Sequence, residues 1–208
     1  MLQADCDIAA TKDFERYFDS TYIGEHKTPL ANTFRVMHLD FSGIDADIFT
    51  ESFVANDRDG PLDFSLRNNF KEGTDLLQGH YRSLSLLLTD FLFVYKQYFT
   101  DSIYLAVDEY DQGADEVLAM NIESFRDLTR SGGILKTFYS KIKDFAAKST
   151  IARIFITGVT TIQLDSMVSG LSIAKNFTAN AQFTTMFGFT ETELRNGIPQ
   201  LVDLKRYG

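Results

Sequence analysis

The chain has 208 residues, of which 44% are hydrophobic and 24% are charged, and only three are proline. This length and composition are typical of one globular domain, or of most of a larger one, and exclude a disordered or low-complexity protein. The net charge of −9 argues against a basic surface that holds nucleic acid or anionic lipid through phosphate contacts. We therefore expect neither direct nucleic-acid binding nor a membrane partner.

The sequence has few of the cysteine and histidine residues that form disulfides or bind metals. Cys6 is the single cysteine, which rules out an internal disulfide, and His26, His38 and His80 lack the spacing of a zinc site. Residues 1–5 lack the basic and apolar regions of a secretory signal, and no apolar run approaches the length of a membrane span. We expect an intracellular, cytoplasmic protein, with Cys6 near a mobile end.

The first predicted elements are a helix and a strand. Residues 11–20 alternate charged and aromatic side chains, which predicts a short amphipathic helix that packs through its rings. The rings at helical spacing are Phe14, Tyr17 and Phe18. Residues 33–41 are mostly apolar and lead into a turn signal, so they predict a buried strand that ends near Asp40.

The middle of the chain predicts a loop, a long helix and a second strand. Residues 57–61 (DRDGP) favour irregular backbone and begin the loop. Apolar residues then recur at steps of three and four over 76–99, the period of a helix with one wide buried face. The residues on that face are Leu84, Leu87, Leu88, Phe91, Val94, Tyr95 and Tyr98. Residues 103–107 form an apolar run without alternation, as in a strand covered on both faces.

A further helix and a third strand complete the pattern. Residues 134–147 return to helical spacing, and residues 151–156 form another short apolar run. Strands that alternate with helices predict an α/β fold with a parallel sheet, in which ligands bind at the carboxyl ends of the strands. The polar residues at those ends are Asp40, Asp108, Glu109 and Thr157. We expect one domain over residues 1–208.

The acids after the second strand are the strongest chemical signal. An apolar strand that ends in Asp-Glu is typical of the Walker B segment of ATPases. In that arrangement Asp108 is the metal ligand, which holds the hydration shell of Mg²⁺, and Glu109 is the catalytic base. Thr157, at the tip of the neighbouring strand, is the predicted catalytic partner that holds the water or the terminal phosphate. The alternatives are solvated strand-end acids and a threonine that caps a turn.

The phosphate-binding loop G-x-x-x-x-G-K-[ST] does not occur in the sequence. Residues 132–137 place Lys-Thr after two glycines, but Leu135 stands where the motif needs glycine. The lysine also falls within a helical pattern. We interpret Lys136 as a solvated helix residue.

Other chemistries fit the sequence less well. There is no G-x-S-x-G motif, and Asp108 and Asp111 are glycosidase candidates that only geometry could assign. His38, inside a predicted strand, is interpreted as a packed residue with a local partner. Residues 190–193 (TETE) form a capping box, which predicts the start of a helix.

Several segments together resemble the AAA-ATPase-like family of the P-loop NTPase superfamily, whose members are often joined to a PD-(D/E)XK nuclease-like domain. These segments are residues 14–29, 39–44, 108–111, 134–138, 155–159, 169–176 and 187–191. The resemblance implies a three-layer P-loop NTPase-like fold, with helices that flank the parallel sheet. It also implies ATP and Mg²⁺ as cofactors, and a fused or associated nuclease-like domain as a partner.

The resemblance further implies that parts of the family's domain are missing. In the family a glycine-lysine loop precedes the first of these segments, and a helical lid continues beyond the last. We therefore expect a domain that is incomplete at the N-terminus and in the C-terminal lid. The lost strand and helix would leave apolar surface exposed, so we also expect self-association. Two positions depart from the family's pattern. Gln112 stands at a position that is often basic in the family, and residues 160–161 lack the proline that commonly follows a serine or threonine there.

Three hypotheses of function stay open at this point. The first is an ATPase-type domain that binds ATP and Mg²⁺ in its full-length parent and is inactive as this chain. The second is a pseudo-ATPase that acts through protein contacts, and the third is a non-functional fragment. The sequence assigns no arginine finger, and Arg126 and Arg153 are the positions to test.

Overall fold

The computed structural model describes residues 2–42, 84–159, 173–185 and 188–201. Contacts along the chain divide it into two compact units, residues 1–172 and residues 173–208. The expectation of one domain over residues 1–208 stays a prediction. The loop predicted at residues 57–61 lies outside the described residues, and so does His80.

In the described part of the first unit, three parallel strands form a sheet. They are β1 (Arg35–Asp40), β2 (Ile103–Asp108) and β3 (Ile151–Ile156), and β2 lies between the other two. Met37, Leu39 and Leu105 are fully buried, because the centre of the sheet is covered by other elements. The predicted α/β class, the three strands and their parallel arrangement are confirmed.

Helices flank this sheet. They are α1 (Leu2–Cys6), α2 (Thr11–Phe18), α3 (Tyr22–Glu25), α4 (Leu84–Tyr98), α5 (Gln112–Met120), α6 (Ile122–Thr129) and α7 (Ile134–Ala147), with a short 3₁₀ helix at Ile8–Ala10. The bounds predicted for α7 are those observed. The predicted helix over 76–99 is confirmed where it is described, from Leu84 onward. Helices α3, α5 and α6 were not predicted.

Helices α4 and α7 pack against each other and build most of the core on one face of the sheet. Leu88, Phe91 and Tyr95 of the predicted buried face are buried as expected. Tyr98 is 63% exposed, so its predicted burial is wrong. It is the last residue of α4 and lies at the margin of the buried face, whereas the ring of the next residue, Phe99, stacks on Tyr95 with centroids 4.9 Å apart.

The opposite face of the sheet carries a smaller apolar cluster of Cys6, Phe34 and Val36. Val36 and Met37 belong to different clusters because successive side chains of a strand point to opposite faces. The backbone N–H of Phe34 donates to the carbonyl of Cys6 at 3.1 Å, and that of Ile8 donates to Phe34 at 2.7 Å. Cys6 is 5% exposed, so the expectation that it lies in a mobile end is wrong.

Helix α2 packs through two of its three predicted rings. The centroids of Phe14 and Phe18, one helical turn apart, are 5.0 Å from each other, and both side chains are buried. Tyr17 is 58% exposed, so its predicted packing is wrong. The buried stripe of this short helix is too narrow to include the residue beside Phe18.

The second unit contains a 3₁₀ helix at Ala181–Phe183 and the helix α8 (Glu191–Leu201). The predicted capping box is confirmed at the start of α8. The backbone N–H of Thr190 donates to Glu193 Oε2 at 2.7 Å, and the N–H of Glu193 donates to Thr190 Oγ1 at 3.2 Å. Within the described parts of both units, no helix is long and apolar enough to cross a membrane.

Candidate functional site

The carboxyl ends of β2 and β3 bring together the three residues that the sequence singled out. The hydroxyl of Thr157 donates a hydrogen bond to Asp108 Oδ1, although the two residues are 49 positions apart in the chain. Glu109 is the next residue after Asp108, and its backbone N–H donates to the same oxygen at 3.1 Å. Both hydrogen bonds described for the Asp108 carboxylate therefore use Oδ1, and the side chain is exposed to solvent.

Glu109 is an extra residue in the hydrogen-bonding ladder between β2 and β3. The N–H of Thr157 donates to the carbonyl of Val107 at 2.9 Å, as in a regular parallel ladder. The carbonyl of Thr157 would then accept from residue 109, but it accepts instead from the N–H of Tyr110 at 3.1 Å. Such an insertion bends a strand and changes the direction of a side chain, and it is common beside functional sites.

The backbone of Glu109 has a φ of 50°, in the left-handed region that residues with a Cβ seldom adopt. Two hydrogen bonds hold it there. Its N–H binds Asp108 Oδ1, and its carbonyl accepts the N–H of Gln112 at 3.1 Å, where α5 begins. Unfavourable backbone conformations of this kind persist only where the surrounding structure stabilises them, and they are common at functional sites.

Asp40 lies beside Asp108 at the same edge of the sheet. The two residues are register partners on β1 and β2, so their side chains leave the sheet on the same face. The N–H of Ser42 donates to Asp40 Oδ1 at 2.9 Å. Hydrogen bonds from the side chain and backbone of Ser42 lower the pKa of Asp40, and the nearby His38 lowers it further. The Asp40 carboxyl is therefore ionised at neutral pH.

The two residues that follow Glu109, Tyr110 and Asp111, are buried next to the strand ends. Asp111 is 1% exposed, and its Oδ2 accepts the N–H of Val159 at 2.9 Å. Burial raises the pKa of Tyr110 to about 12, and the charges of Asp111 and Asp115 add to the effect. Because Asp111 is buried and Asp108 is exposed, the glycosidase hypothesis of two solvent-facing acids has no geometric support here.

Three other residues considered in the sequence, Lys136, His26 and Arg153, lie elsewhere in the first unit. Gly133 is the N-cap of α7 and Lys136 lies in the first turn of that helix, as its helical pattern predicted. The ring of His26 stacks on Tyr22 with centroids 4.1 Å apart. Arg153 is exposed on β3, where its guanidinium donates to the carbonyl of Ala152 at 3.1 Å. None of these described contacts involves Asp108 or Thr157.

Among the residues whose positions are described, no group of three or more His, Cys, Asp or Glu side chains is arranged to hold a metal ion. Burial and the neighbouring Asp5 raise the pKa of the Cys6 thiol to about 12, which disfavours the thiolate that binds metals. The carboxylate of Asp108 and the hydroxyl of Thr157 are the oxygen donors that the strand ends place in contact.

Comparison with known protein families gives a match that covers most of the chain. A family model described as "Predicted AAA-ATPase" matches residues 1–168, which is more than half of the chain and falls within the first unit. No curated protein and no solved structure matches the chain. The length of the family match nevertheless decides the relationship: the chain belongs to the AAA-ATPase-like family.

Proposed function

We propose that the first unit is the Walker B part of a P-loop ATPase-type domain. This part of the domain binds the magnesium ion and orients the attacking water. The observation that carries this proposal is the hydrogen bond from Thr157 to Asp108 Oδ1 at the ends of adjacent strands. Glu109 stands directly beside that bond in a constrained backbone conformation. A solvated strand-end acid would need neither the neighbouring threonine nor the constrained residue.

Each of the three side chains has a role in this proposal. Asp108 holds the hydration shell of Mg²⁺ through its exposed carboxylate, and Thr157 fixes the orientation of that carboxylate. Glu109 orients the attacking water and accepts its proton. Bound ATP with Mg²⁺ supplies the terminal phosphoryl group and the charge neutralisation that hydrolysis needs.

The donor set fits a hydrated magnesium ion. Carboxylate and hydroxyl oxygens are the ligands that Mg²⁺ prefers, and the ion usually keeps several waters while it binds one or two carboxylates. Both described hydrogen bonds of Asp108 use Oδ1, which leaves Oδ2 for a water or an ion. The adjacent carboxylate of Asp40 adds negative charge at the same edge.

We further propose that this chain alone does not hydrolyse ATP. The sequence contains no G-x-x-x-x-G-K-[ST] loop, whose backbone N–H groups and lysine hold the phosphates in P-loop enzymes. Without such a loop, the strand-end residues cannot supply the electrostatic stabilisation that phosphoryl transfer requires. Nucleotide binding and turnover would then need a longer protein that provides a phosphate-binding segment.

Mn²⁺ binding tests the assignment of Asp108. Mn²⁺ substitutes for Mg²⁺ at oxygen sites and enhances the relaxation of water protons when it binds a protein. We expect Asp108→Asn to weaken Mn²⁺ binding by at least about tenfold, since one carboxylate supplies most of a hydrated site. Asp144→Asn is the matched control, because it removes the same charge from an exposed position on α7. Equal Mn²⁺ affinity in both variants would contradict the assignment.

Phosphate release from ATP tests the second proposal. With Mg²⁺ and millimolar ATP, the purified chain is expected to release no phosphate above the rate without protein. Turnover that Glu109→Gln abolishes would contradict the proposed inactivity of the chain but would support the role of Glu109. Turnover that this variant leaves unchanged would contradict both. In any longer protein that contains this chain, a pseudo-ATPase would bind Mn²⁺ at Asp108 and show no turnover.

A further inference from the structure

Asp111 occupies a position where an aspartate normally caps its own helix, but its side chain binds a distant loop instead. It is the N-cap residue of α5, and its side chain makes no capping hydrogen bond to that helix. Its Oδ2 instead accepts the N–H of Val159, which is 48 residues away in the loop after β3. Asp111 is 1% exposed, and a buried carboxylate is unfavourable unless hydrogen-bond donors contact it. Loss of the hydrogen bond from Val159 would therefore destabilise this position.

The loop after β3 is shaped to lie against Asp111. A Cβ on Gly158 would stand closer than 3.0 Å to the ring of Tyr110 and to Asp111 Oδ1. Real Cβ atoms do not approach other atoms that closely, so only glycine allows the loop to pass at this distance. The N–H of Tyr110 donates to the carbonyl of Thr157 at 3.1 Å, which attaches the same two loops a second time.

These contacts hold Thr157 from both sides. Its own N–H and carbonyl bond to β2 and to Tyr110, and the second residue after it is held by Asp111. We propose that Asp111 is a positioning residue, which fixes the loop after β3 so that the hydroxyl of Thr157 stays on Asp108 Oδ1. The functional meaning of this role rests on the proposed function of Asp108 and Thr157. The position of the threonine itself can be tested without a metal.

Two neutral substitutions separate the hydrogen bond from the charge of Asp111. Asp111→Asn keeps an oxygen that can accept the N–H of Val159, whereas Asp111→Leu has a similar shape and no acceptor. In the full ¹⁵N-labelled chain without metal, we expect the Asn variant to retain the slow hydrogen exchange of the Val159 amide. We expect the Leu variant to lose that protection by at least about tenfold, because it has no oxygen that can accept the N–H of Val159.

The χ1 angle of Thr157 distinguishes the two possible roles of Asp111. If Asp111 only stabilised the fold, its replacement would leave that angle unchanged. Three-bond couplings should report one χ1 rotamer in the wild type and in Asp111→Asn, and averaged rotamers in Asp111→Leu. If Asp111→Leu does not fold, Val159→Pro removes the same hydrogen bond from the donor side at an exposed residue. A fixed Thr157 rotamer in the folded variant that lacks the hydrogen bond would overturn the proposal.

Mn²⁺ affinity then separates this proposal from the proposed function. At a temperature where all variants are folded, we expect Asp111→Leu to bind Mn²⁺ about three- to tenfold more weakly than Asp111→Asn. Equal affinities, together with wild-type binding that depends on Asp108, would overturn the positioning role and leave the proposed function in place. If the wild type shows no binding that depends on Asp108, the proposed function fails, and the Thr157 couplings still decide the role of Asp111.

Discussion

Tyr95 on α4 and Tyr139 on α7 are buried to the same extent on two helices that pack together, but their hydroxyl groups differ. The hydroxyl of Tyr95 donates to the carbonyl of Asp101 at 3.0 Å. The hydroxyl of Tyr139 is buried and has no hydrogen-bond partner among the residues that the structure describes. Burial and the nearby Tyr110 and Asp111 raise the pKa of Tyr139, which keeps the hydroxyl protonated.

This difference predicts opposite effects of the same substitution. Tyr139→Phe removes an unsatisfied polar group, so the free energy of unfolding should stay equal or rise by up to about 1 kcal/mol. Tyr95→Phe removes a hydrogen bond and should lower it by about 0.5–1.5 kcal/mol. Urea titration of both variants measures the two changes. An equal loss of stability in the two variants would mean that the Tyr139 hydroxyl has a partner in solution.

The left-handed backbone of Glu109 predicts the relative stability of two variants. Glu109→Gly and Glu109→Ala both remove the carboxylate, but only glycine adopts a φ near 50° without steric cost. We expect the Gly variant to be more stable than the Ala variant by about 1 kcal/mol in urea titrations. The opposite order would show that Glu109 has an ordinary negative φ in solution.

The environment of Cys6 predicts a slow thiol reaction. Its pKa of about 12, raised by burial and by the negative charge of Asp5, leaves little thiolate near pH 8. We expect the native chain to react with a thiol-specific disulfide reagent at least about tenfold more slowly than free cysteine at that pH. The reaction should become fast in urea, which exposes the side chain. A fast reaction of the native chain would contradict the observed burial.

The capping box of α8 predicts a pH-dependent helix start. Hydrogen bonds from the side chain and backbone of Thr190 lower the pKa of Glu193 below its ordinary value of 4.5. Because the folded pKa is the lower one, the stabilisation by this cap is complete above pH 4.5 and is lost as the pH falls through the folded pKa. The chemical shift of the Thr190 amide proton should therefore titrate below pH 4.5. It should not titrate in this way in Glu193→Gln, and a midpoint above 4.5 would argue against the cap.

Local patterns were sufficient to predict the sheet and the longest helices. The apolar runs of β1 and β2 lack alternation because other elements cover the sheet there, and α7 has a regular apolar spacing and a glycine at its start. Strand β3 was predicted from the same kind of run, but its burial alternates and Arg153 and Phe155 are exposed. Helices α5 and α6 were missed because each is short and only Asn121 separates them. The cap formed by Asn121, whose Oδ1 accepts the N–H of Glu123 at 2.8 Å, was the available signal.

The details of the candidate site depend on contacts that no local pattern contains. The sequence placed Asp108, Glu109 and Thr157 at strand ends, and a parallel sheet brings such ends to one edge. It could not predict the left-handed Glu109, because glutamate disfavours that conformation and the hydrogen bonds that hold it depend on the neighbouring loop. The bond between Asp111 and Val159 likewise spans 48 residues and follows only from the folded positions of two loops.

The central claim is that Asp108, Glu109 and Thr157 form a magnesium site, and the most direct test is to locate where Mn²⁺ binds. In a ¹⁵N-labelled chain, a small amount of Mn²⁺ broadens the amide signals of residues near the bound ion. We predict that the signals of Asp108, Glu109 and Thr157 broaden first, and that this selective broadening disappears in Asp108→Asn but persists in Asp144→Asn. Selective broadening that begins elsewhere, or that survives in Asp108→Asn, would contradict the assignment of these strand ends as a magnesium site.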